Sequence, residues 1–425
     1  MRRIADMQVM SSVLARTDTT GSYVSHPVLD ATALNREILM SSPDLSVQVV
    51  PTVDEVADKD PARIRSMMLL LEQVGGEFNE IRASLRAGGY HGLSLFDELE
   101  ATRQRLFYGP VQGTAWSQQK GCATALLTLQ EAGRGHPNLS ATVGPDVLDT
   151  VFPNGISLED LLAKSRSEFF GQSKADSVDG AKKRMSDLEQ FITGPLYPRF
   201  DEVITYGTDG LGIRSRKQIV THVVVEFVRR QIAAHTPLVE PAVMVSIGCG
   251  TALPVFDIAR DLKFMGIKPE LVLVDQDPIA LAFALELARQ RGLSDHVEIH
   301  CTRLFDRRSR PVDIAKILNG RTPLLIEDTG LREYLPDNMY RTLTASEWKA
   351  LASGGLLVSG NMNANRPQAE VLNGLIGWQP KVFPRTLEQA AALHVKAGID
   401  ISELQACLTK DGVYTVYVAE KVPER

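Results

Sequence analysis

The chain has 425 residues, 44% hydrophobic and 23% charged, with a formal net charge of −6. This is the balance of a globular protein, and the length calls for two or more domains. An acidic chain with a pI near 5.8 speaks against nucleic acid as a partner, since such domains normally carry a basic excess or stripe.

Cys122, Cys249, Cys301 and Cys407 are widely spaced and form no C-x-x-C pair. A disulfide framework or thiolate zinc site is not expected, and the eight histidines form no H-x-x-H set. The start, MRRIADMQVMSSVLARTD, is basic but lacks the sustained apolar core of a secretion signal. No stretch approaches the ~20 apolar residues of a membrane-spanning helix. The greasiest one, LVLVDQDPIALAFALELA, is broken by Asp275, Asp277 and Glu286. A soluble, cytoplasmic protein with no membrane partner is expected.

Residues 1–60 show little periodicity. From Pro61 the pattern turns helical: Ile64, Met67, Met68, Leu71, Val74 and Phe78 fall at helix spacing. HGLSLFDELEATRQRLFYG and KGCATALLTLQEAG read similarly, and GRGHPNLSATVGPD reads as a loop. ISLEDLLAKSRSEFF opens with a capping-box signal, Ser157 followed by Asp160, and AKKRMSDLEQFITG is helical up to Gly194-Pro195. Residues 61–200 are therefore expected to form an α-helical cap or interaction domain, a candidate surface for homo-oligomers. Residues 201–240 form a connecting segment and helix.

From Pro241 short apolar strands alternate with helices. AVMVSI, LVLVD, VEIHC, PLLIED and GLLVSG read as strands; PVFDIARDLKFMG, IALAFALELARQRG, DIAKILNG and NMYRTLTASEWKALASG read as the helices between them. Nearly continuous apolar strands separated by helices predict a parallel sheet covered on both faces. After a helix at TLEQAAALHVKAGI come ISELQACLT and VYTVYVAEK, flanking Lys410-Asp411-Gly412. Asp-Gly between strand-like runs predicts a terminal antiparallel hairpin.

The first strand of this region runs into Gly248-Cys249-Gly250-Thr251-Ala252, where an open parallel sheet binds its ligand. Two glycines allow backbone to approach a nucleotide, and the following helix offers free N–H groups. The dinucleotide pattern G-x-G-x-x-G/A requires a small residue where Leu253 stands, which counts against a nicotinamide cofactor.

The turn resembles motif I of class I S-adenosylmethionine-dependent methyltransferases, h-h-D-h-G-x-G-x-G, and the resemblance runs from Pro241 to the end (241–425). It implies a doubly wound, mostly parallel, seven-stranded Rossmann-like α/β sheet closed by an antiparallel C-terminal hairpin. It implies S-adenosyl-L-methionine as cofactor, held by Gly248, Cys249, Gly250 and Thr251, with Asp275 on the ribose, Gln276 beside the adenine, and Thr302 after the third strand. The chain departs from the motif twice: Ser246 replaces the acid, and Ala252 the third glycine. Tyr206, Arg214 and Arg216, in the segment leading into the domain, are candidates for the cofactor carboxylate or the substrate.

Acceptor-side residues in this family follow the fourth and fifth strands. IEDTGLREYLPDN supplies Glu327 and Asp328 as candidate bases, Thr329 and Arg332 as substrate-binding candidates, and Glu333 and Tyr334 beside them. SGNMNANRPQ supplies Asn361 as a catalytic candidate, Asn363 for substrate, and Arg366. The tetrapeptide [DNS]-P-P-[YFW] of amino-methylating nucleic-acid enzymes is missing, so a small-molecule acceptor is expected. Methyl transfer from a sulfonium is an in-line displacement in which the protein aligns the partners and excludes water. The rival reading is another chemistry on the same cofactor, cyclisation or aminocarboxypropyl transfer. Two further readings are cofactor binding without turnover and a nicotinamide-dependent oxidoreductase.

Overall fold

The computed structural model describes residues 45–50, 52, 61–92, 94–95, 98–99, 206–234, 241–276, 278–369, 382–409 and 411–422. The helices expected over 120–133, 156–170 and 181–194, the loop over 133–146, most of the helix expected over 91–109, and the oligomer surface proposed for 61–200 lie largely or wholly outside them.

The strands are β1 (Ser46–Val50), β2 (Ala242–Ile247), β3 (Pro269–Asp275), β4 (Val297–Cys301), β5 (Leu325–Asp328), β6 (Leu356–Met362), β7 (Leu404–Thr409) and β8 (Tyr414–Glu420). They form one eight-stranded sheet in the order β1-β7-β8-β6-β5-β2-β3-β4. Only β8 runs against its neighbours, pairing antiparallel with both β6 and β7. The expected count of seven strands is corrected to eight among the described residues. The extra strand, β1, pairs parallel with β7 and comes from the first sixty residues. It is short and shallowly packed, with Ser46, Gln48 and Val49 exposed, Val47 half-buried and Val50 buried.

The helices are α1 (Pro61–Ala87), α2 (Thr208–Ala233), α3 (Leu253–Phe264), α4 (Pro278–Gln290), α5 (Ile314–Leu318), α6 (Asp337–Ala350) and α7 (Leu387–Lys396). In β2 every residue is buried, yet the period of two still sorts them. Ala242 and Met244 pack with Phe227 of α2, Phe256 of α3 and Leu281 of α4. Val243, Val245 and Ile247 pack on the other face with Ile314 of α5 and Leu387 and Ala390 of α7. This double covering is why the strands read as unbroken apolar runs. Local capping fixes the helix starts: Asp313 caps α5, and Thr386 with Gln389 forms a full capping box on α7. In α1, Ile64, Met67, Met68, Leu71 and Phe78 are buried, as their spacing predicts.

The terminal hairpin forms as expected. Asp411 Oδ1 accepts from the Thr409 hydroxyl at 2.8 Å and from the Val413 N–H at 2.9 Å, and Gly412 takes φ +73°. No helix among the described residues is long and apolar enough to cross a membrane.

Candidate functional site

Strands β2 to β6 are parallel and end at one edge of the sheet. The β7–β8 turn lies at the same edge, because Met362 at the end of β6 pairs with Tyr414 at the start of β8. Open α/β sheets bind ligands there.

After Ile247 the backbone passes through Gly248, Gly250 and Ala252 at φ +64°, +53° and +55°. Left-handed backbone at alternate residues coils the chain tightly, a conformation that is unstrained for glycine and costs about 1 kcal/mol or more at alanine. The Gly248 and Cys249 N–H groups donate to the Val274 carbonyl at 2.8 and 3.2 Å. The Gly250 N–H donates to Asp275 Oδ2 at 2.8 Å. A Cβ on Gly250 would meet nothing within 4 Å, so the outer face of the turn is open. Thr302, after β4, donates its N–H to the Asp275 carbonyl at 2.8 Å. Gln276 is exposed and Thr251 half-buried beside them. Cys249 packs against the core with its Sγ 3.7 Å from the Gly250 carbonyl. The fold thus gathers Gly248, Cys249, Gly250, Thr251, Asp275, Gln276 and Thr302 on three adjacent strand ends.

β5 ends in two buried carboxylates, Glu327 and Asp328, followed by the buried Thr329. Ser246, at the motif's acid position, is paired in register with Glu327. Its hydroxyl donates to Glu327 Oε2 at 2.5 Å. Glu327 Oε1 accepts the Thr329 N–H at 2.8 Å and the Thr329 hydroxyl as well. A carboxylate therefore stands beside the turn after all, contributed by the neighbouring strand.

Asp328 and Arg332 face each other inside the protein. Arg332 is fully buried, with Nε 2.6 Å from Asp328 Oδ2 and Nη2 2.5 Å from Glu347 Oε2 of α6. It also donates to the Thr344 hydroxyl and lies 4.7 Å from the Tyr340 ring centre. Burial, with Arg332 opposing it, raises the Asp328 carboxyl above the usual range; burial and the neighbouring Asp328 push Glu347 well above it. Burial disfavours the Arg332 charge, but Asp328 and Glu347 outweigh it and keep the guanidinium protonated. In this structure the Arg332 charge is met by side chains of the fold itself. Nearby, His394 bonds Ser359 and the Ala390 carbonyl at 2.9 Å, and burial beside Arg332 lowers it to about 3.

Asn361 accepts from Arg385 Nη1 at 3.0 Å and donates to the Met362 carbonyl at 2.8 Å. Asn363 accepts from the Thr415 hydroxyl at 2.7 Å and donates to the Gly412 carbonyl at 3.0 Å. Both tie β6 to neighbouring segments.

The first turns of α2 lie across the same edge. Asp209 accepts from Arg366 Nε at 3.0 Å, and the Thr208 hydroxyl donates to Gln368 at 2.7 Å. Arg214 is buried; the Tyr206 ring packs on Ile64, Met68 and Leu211 with the Arg63 guanidinium 4.3 Å from its centre. Arg216, on the same helix, joins α2 to the loop after β5. Its Nη1 donates to Glu333 Oε1 at 3.2 Å, and its guanidinium stacks 4.5 Å from the Tyr414 ring centre. The Tyr414 hydroxyl donates to the same Glu333 oxygen at 3.2 Å. Burial raises the Glu333 carboxyl, with Arg216 opposing the shift. Sequence reasoning flagged Arg216 and Glu333 separately but not their meeting, and it missed Tyr414. Arg216 and Glu333 are 117 positions apart, and Tyr414 follows Glu333 by 81. The available signal was Tyr414's place two residues after the Asp-Gly pair, which puts it at the same edge of the sheet as the glycine turn.

No family model and no curated protein matches this chain. Solved structures similar to it include a possible exported protein from Bordetella parapertussis (19% identity, 73% of this chain and 100% of that one, TM-score 0.41). Others are an O-methyltransferase family protein from Burkholderia thailandensis (13%, 89% and 100%, 0.38) and magnesium protoporphyrin IX methyltransferase from Synechocystis with bound S-adenosylhomocysteine (13%, 50% and 86%, 0.36). By its own strand order, antiparallel hairpin and glycine turn, the chain has the fold of the class I S-adenosylmethionine-dependent methyltransferases.

Proposed function

We propose that this protein binds S-adenosylmethionine at the β2–α3 turn and transfers its methyl group to a small-molecule acceptor. The observation that carries this reading is the open glycine turn tied to Asp275 at the end of the next strand. Gly250, with open space where a side chain would stand, leaves room for the methionine portion of the donor. Asp275, a carboxylate next to that floor, suits the two ribose hydroxyls, and Gln276 the adenine. The ammonium of the donor needs an anion, and Glu327, aimed by Ser246 and Thr329, supplies the one that motif I lacks here. Glu327, expected as a base, thereby moves to the cofactor side. Asp328, Arg332, Asn361 and Asn363 act by fixing the loops around the acceptor. The bound donor supplies an activated methyl group with a neutral leaving group; the protein's task is alignment and exclusion of water.

Calorimetry of the purified full chain with S-adenosylhomocysteine and with NAD tests the site. Affinity for the first and none for the second is expected; the reverse refutes the proposal. Incubation with S-adenosylmethionine and host cell extract should yield S-adenosylhomocysteine and a product heavier by one methylene. Methylthioadenosine as co-product would instead select cyclisation or aminocarboxypropyl transfer.

A further inference from the structure

Resting on that reading, we infer that Glu333 is the acceptor-side base and that the methyl acceptor is a neutral hydroxyl group bound at its Oε2 atom.

Glu333 is 2% exposed, and its two side-chain donors, Arg216 Nη1 and Tyr414 Oη, converge on Oε1, while its own backbone N–H also acts on the carboxylate. Oε2 is buried with no hydrogen-bond partner among the described residues. A buried carboxylate oxygen left without a donor pays its desolvation with nothing in return, and such an atom calls for a partner from outside the fold. The site is also held firmly. The Glu333 carbonyl accepts the Phe383 N–H at 2.5 Å, and a Cβ added to Gly330 would lie 3.2 Å from Arg216 Nη2. A side chain at Gly330 would crowd the guanidinium by a few tenths of an ångström.

The same short loop touches the cofactor floor. The Leu331 side chain lies 3.1 Å from where a Cβ of Gly248 would be, so residues 330–333 join the glycine turn on one side to the Arg216–Glu333–Tyr414 cluster on the other. The Glu333 cluster thus sits on the loop that packs against the proposed cofactor floor.

Charge selects the class of acceptor. Arg216 stays protonated: burial opposes its charge, but Tyr414, Glu333, Glu327 and Tyr334 outweigh that. With Arg216 already neutralising Glu333, a cationic amine would enter as an unpaired buried charge, and an anionic carboxylate would meet Glu333 directly. A hydroxyl gives Oε2 its missing donor and adds no charge. In the transfer, the hydroxyl oxygen bonds to the donor's methyl carbon and its proton passes to Oε2. The carbon–sulfur bond breaks with its electron pair on sulfur, leaving a methyl ether and a neutral thioether. The charged and titratable groups acting on Glu333 are Arg216 from α2 and Tyr414 from β8; Glu327 of β5 and Tyr334 of the Glu333 loop act on Arg216, and Tyr334 and Asp209 act on Tyr414. Burial holds the Glu333 carboxyl above the usual range. The base form is therefore lost on acidification at a pH above that of an ordinary glutamate.

The test uses the full chain, methyl-labelled S-adenosylmethionine and host cell extract as the pool of acceptors. The label should appear on oxygen in a methyl ether. Glu333→Gln should cut turnover at least 100-fold, leave S-adenosylhomocysteine affinity within twofold, and abolish the acid limb of the kcat/KM profile. Tyr414→Phe, which keeps the packing, should lower turnover about tenfold and shift that limb. Label on nitrogen, sulfur or a carboxylate, no labelled product, or a Glu333→Gln variant with unchanged turnover or an unchanged acid limb overturns the inference. Loss of S-adenosylhomocysteine binding by the wild-type chain instead refutes the cofactor assignment itself.

Discussion

Replacing Arg332 by methionine isolates what that residue does. Methionine roughly fills the space, so the main loss is charge. Arg332 sits between Asp328 and Glu347, each side chain 0% exposed, at 2.6 and 2.5 Å. Removing one member of a buried ion network costs about 3–5 kcal/mol, because the remaining charge is left in a medium that solvates it poorly. A loss of about 4 kcal/mol at pH 7 is expected, roughly 10³ in the folding equilibrium. The variant escapes the unpaired charge by binding one further proton in its folded state. Its folded form then carries more protons than its unfolded form, so its stability falls as pH rises, by about 1.4 kcal/mol per unit relative to wild type. Going from pH 7 to pH 5 should therefore shrink the deficit to about 1 kcal/mol. Urea denaturation followed by circular dichroism at the two pH values measures both quantities. A deficit below about 1 kcal/mol at pH 7, or one that ignores pH, would refute the reasoning. The folded variant should still bind S-adenosylhomocysteine within about twofold of wild type, which a cofactor-contacting arginine would not allow.

Asp275→Ala should weaken S-adenosylhomocysteine binding by roughly 2–4 kcal/mol in calorimetry, since it removes a charge-assisted pair of ribose hydrogen bonds and the tether on Gly250; unchanged affinity would place the cofactor elsewhere. Burial raises the Asp328 and Glu347 carboxyls. Their contribution to stability is therefore complete below the ordinary carboxylate range and drains away as pH rises through their elevated values. Glu347→Gln should flatten the decline of the urea midpoint between pH 5 and pH 8; an unaltered slope would assign that decline to other groups. At Gly212 of α2, an added Cβ would lie 2.4 Å from the Val413 side chain. Gly212→Ala should push the helix off the hairpin turn, cutting turnover about tenfold while sparing S-adenosylhomocysteine affinity. Loss of both together would show that α2 also holds the cofactor.

Features written in local chemistry were legible from the sequence. Asp411-Gly412 specifies its own turn, and the alternation of apolar strands and helices after Pro241 follows from burial on both sheet faces. Leu253 separated two glycine motifs because packing of a helix on a strand is a local matter. What long-range pairing decides was hidden. The acidic pair Glu327-Asp328 reads as a solvated or catalytic doublet until Ser246 and Arg332 are seen to claim one carboxylate each. One clue went unused: Tyr340, Leu343, Thr344 and Glu347 form a single helix face, and a glutamate on a buried stripe requires a buried cation. The Glu333 cluster depends on three segments that no spacing rule connects.

The β1–β7 pairing has a consequence for how the chain is made. Gln48 and Gln405, bonded side chain to side chain at 3.2 Å, are 357 positions apart. The ribosome releases Ser46–Val50 long before its partner strand exists, so this segment's pairing with β7 waits while the intervening residues are made. Closing so long a loop costs little more than closing a moderate one, because the entropy grows only with the logarithm of length. The penalty is in time rather than free energy. Docking of β1 is thereby a late event that follows formation of its partner strand, and it moves the edge of the sheet from β7 to the short strand β1.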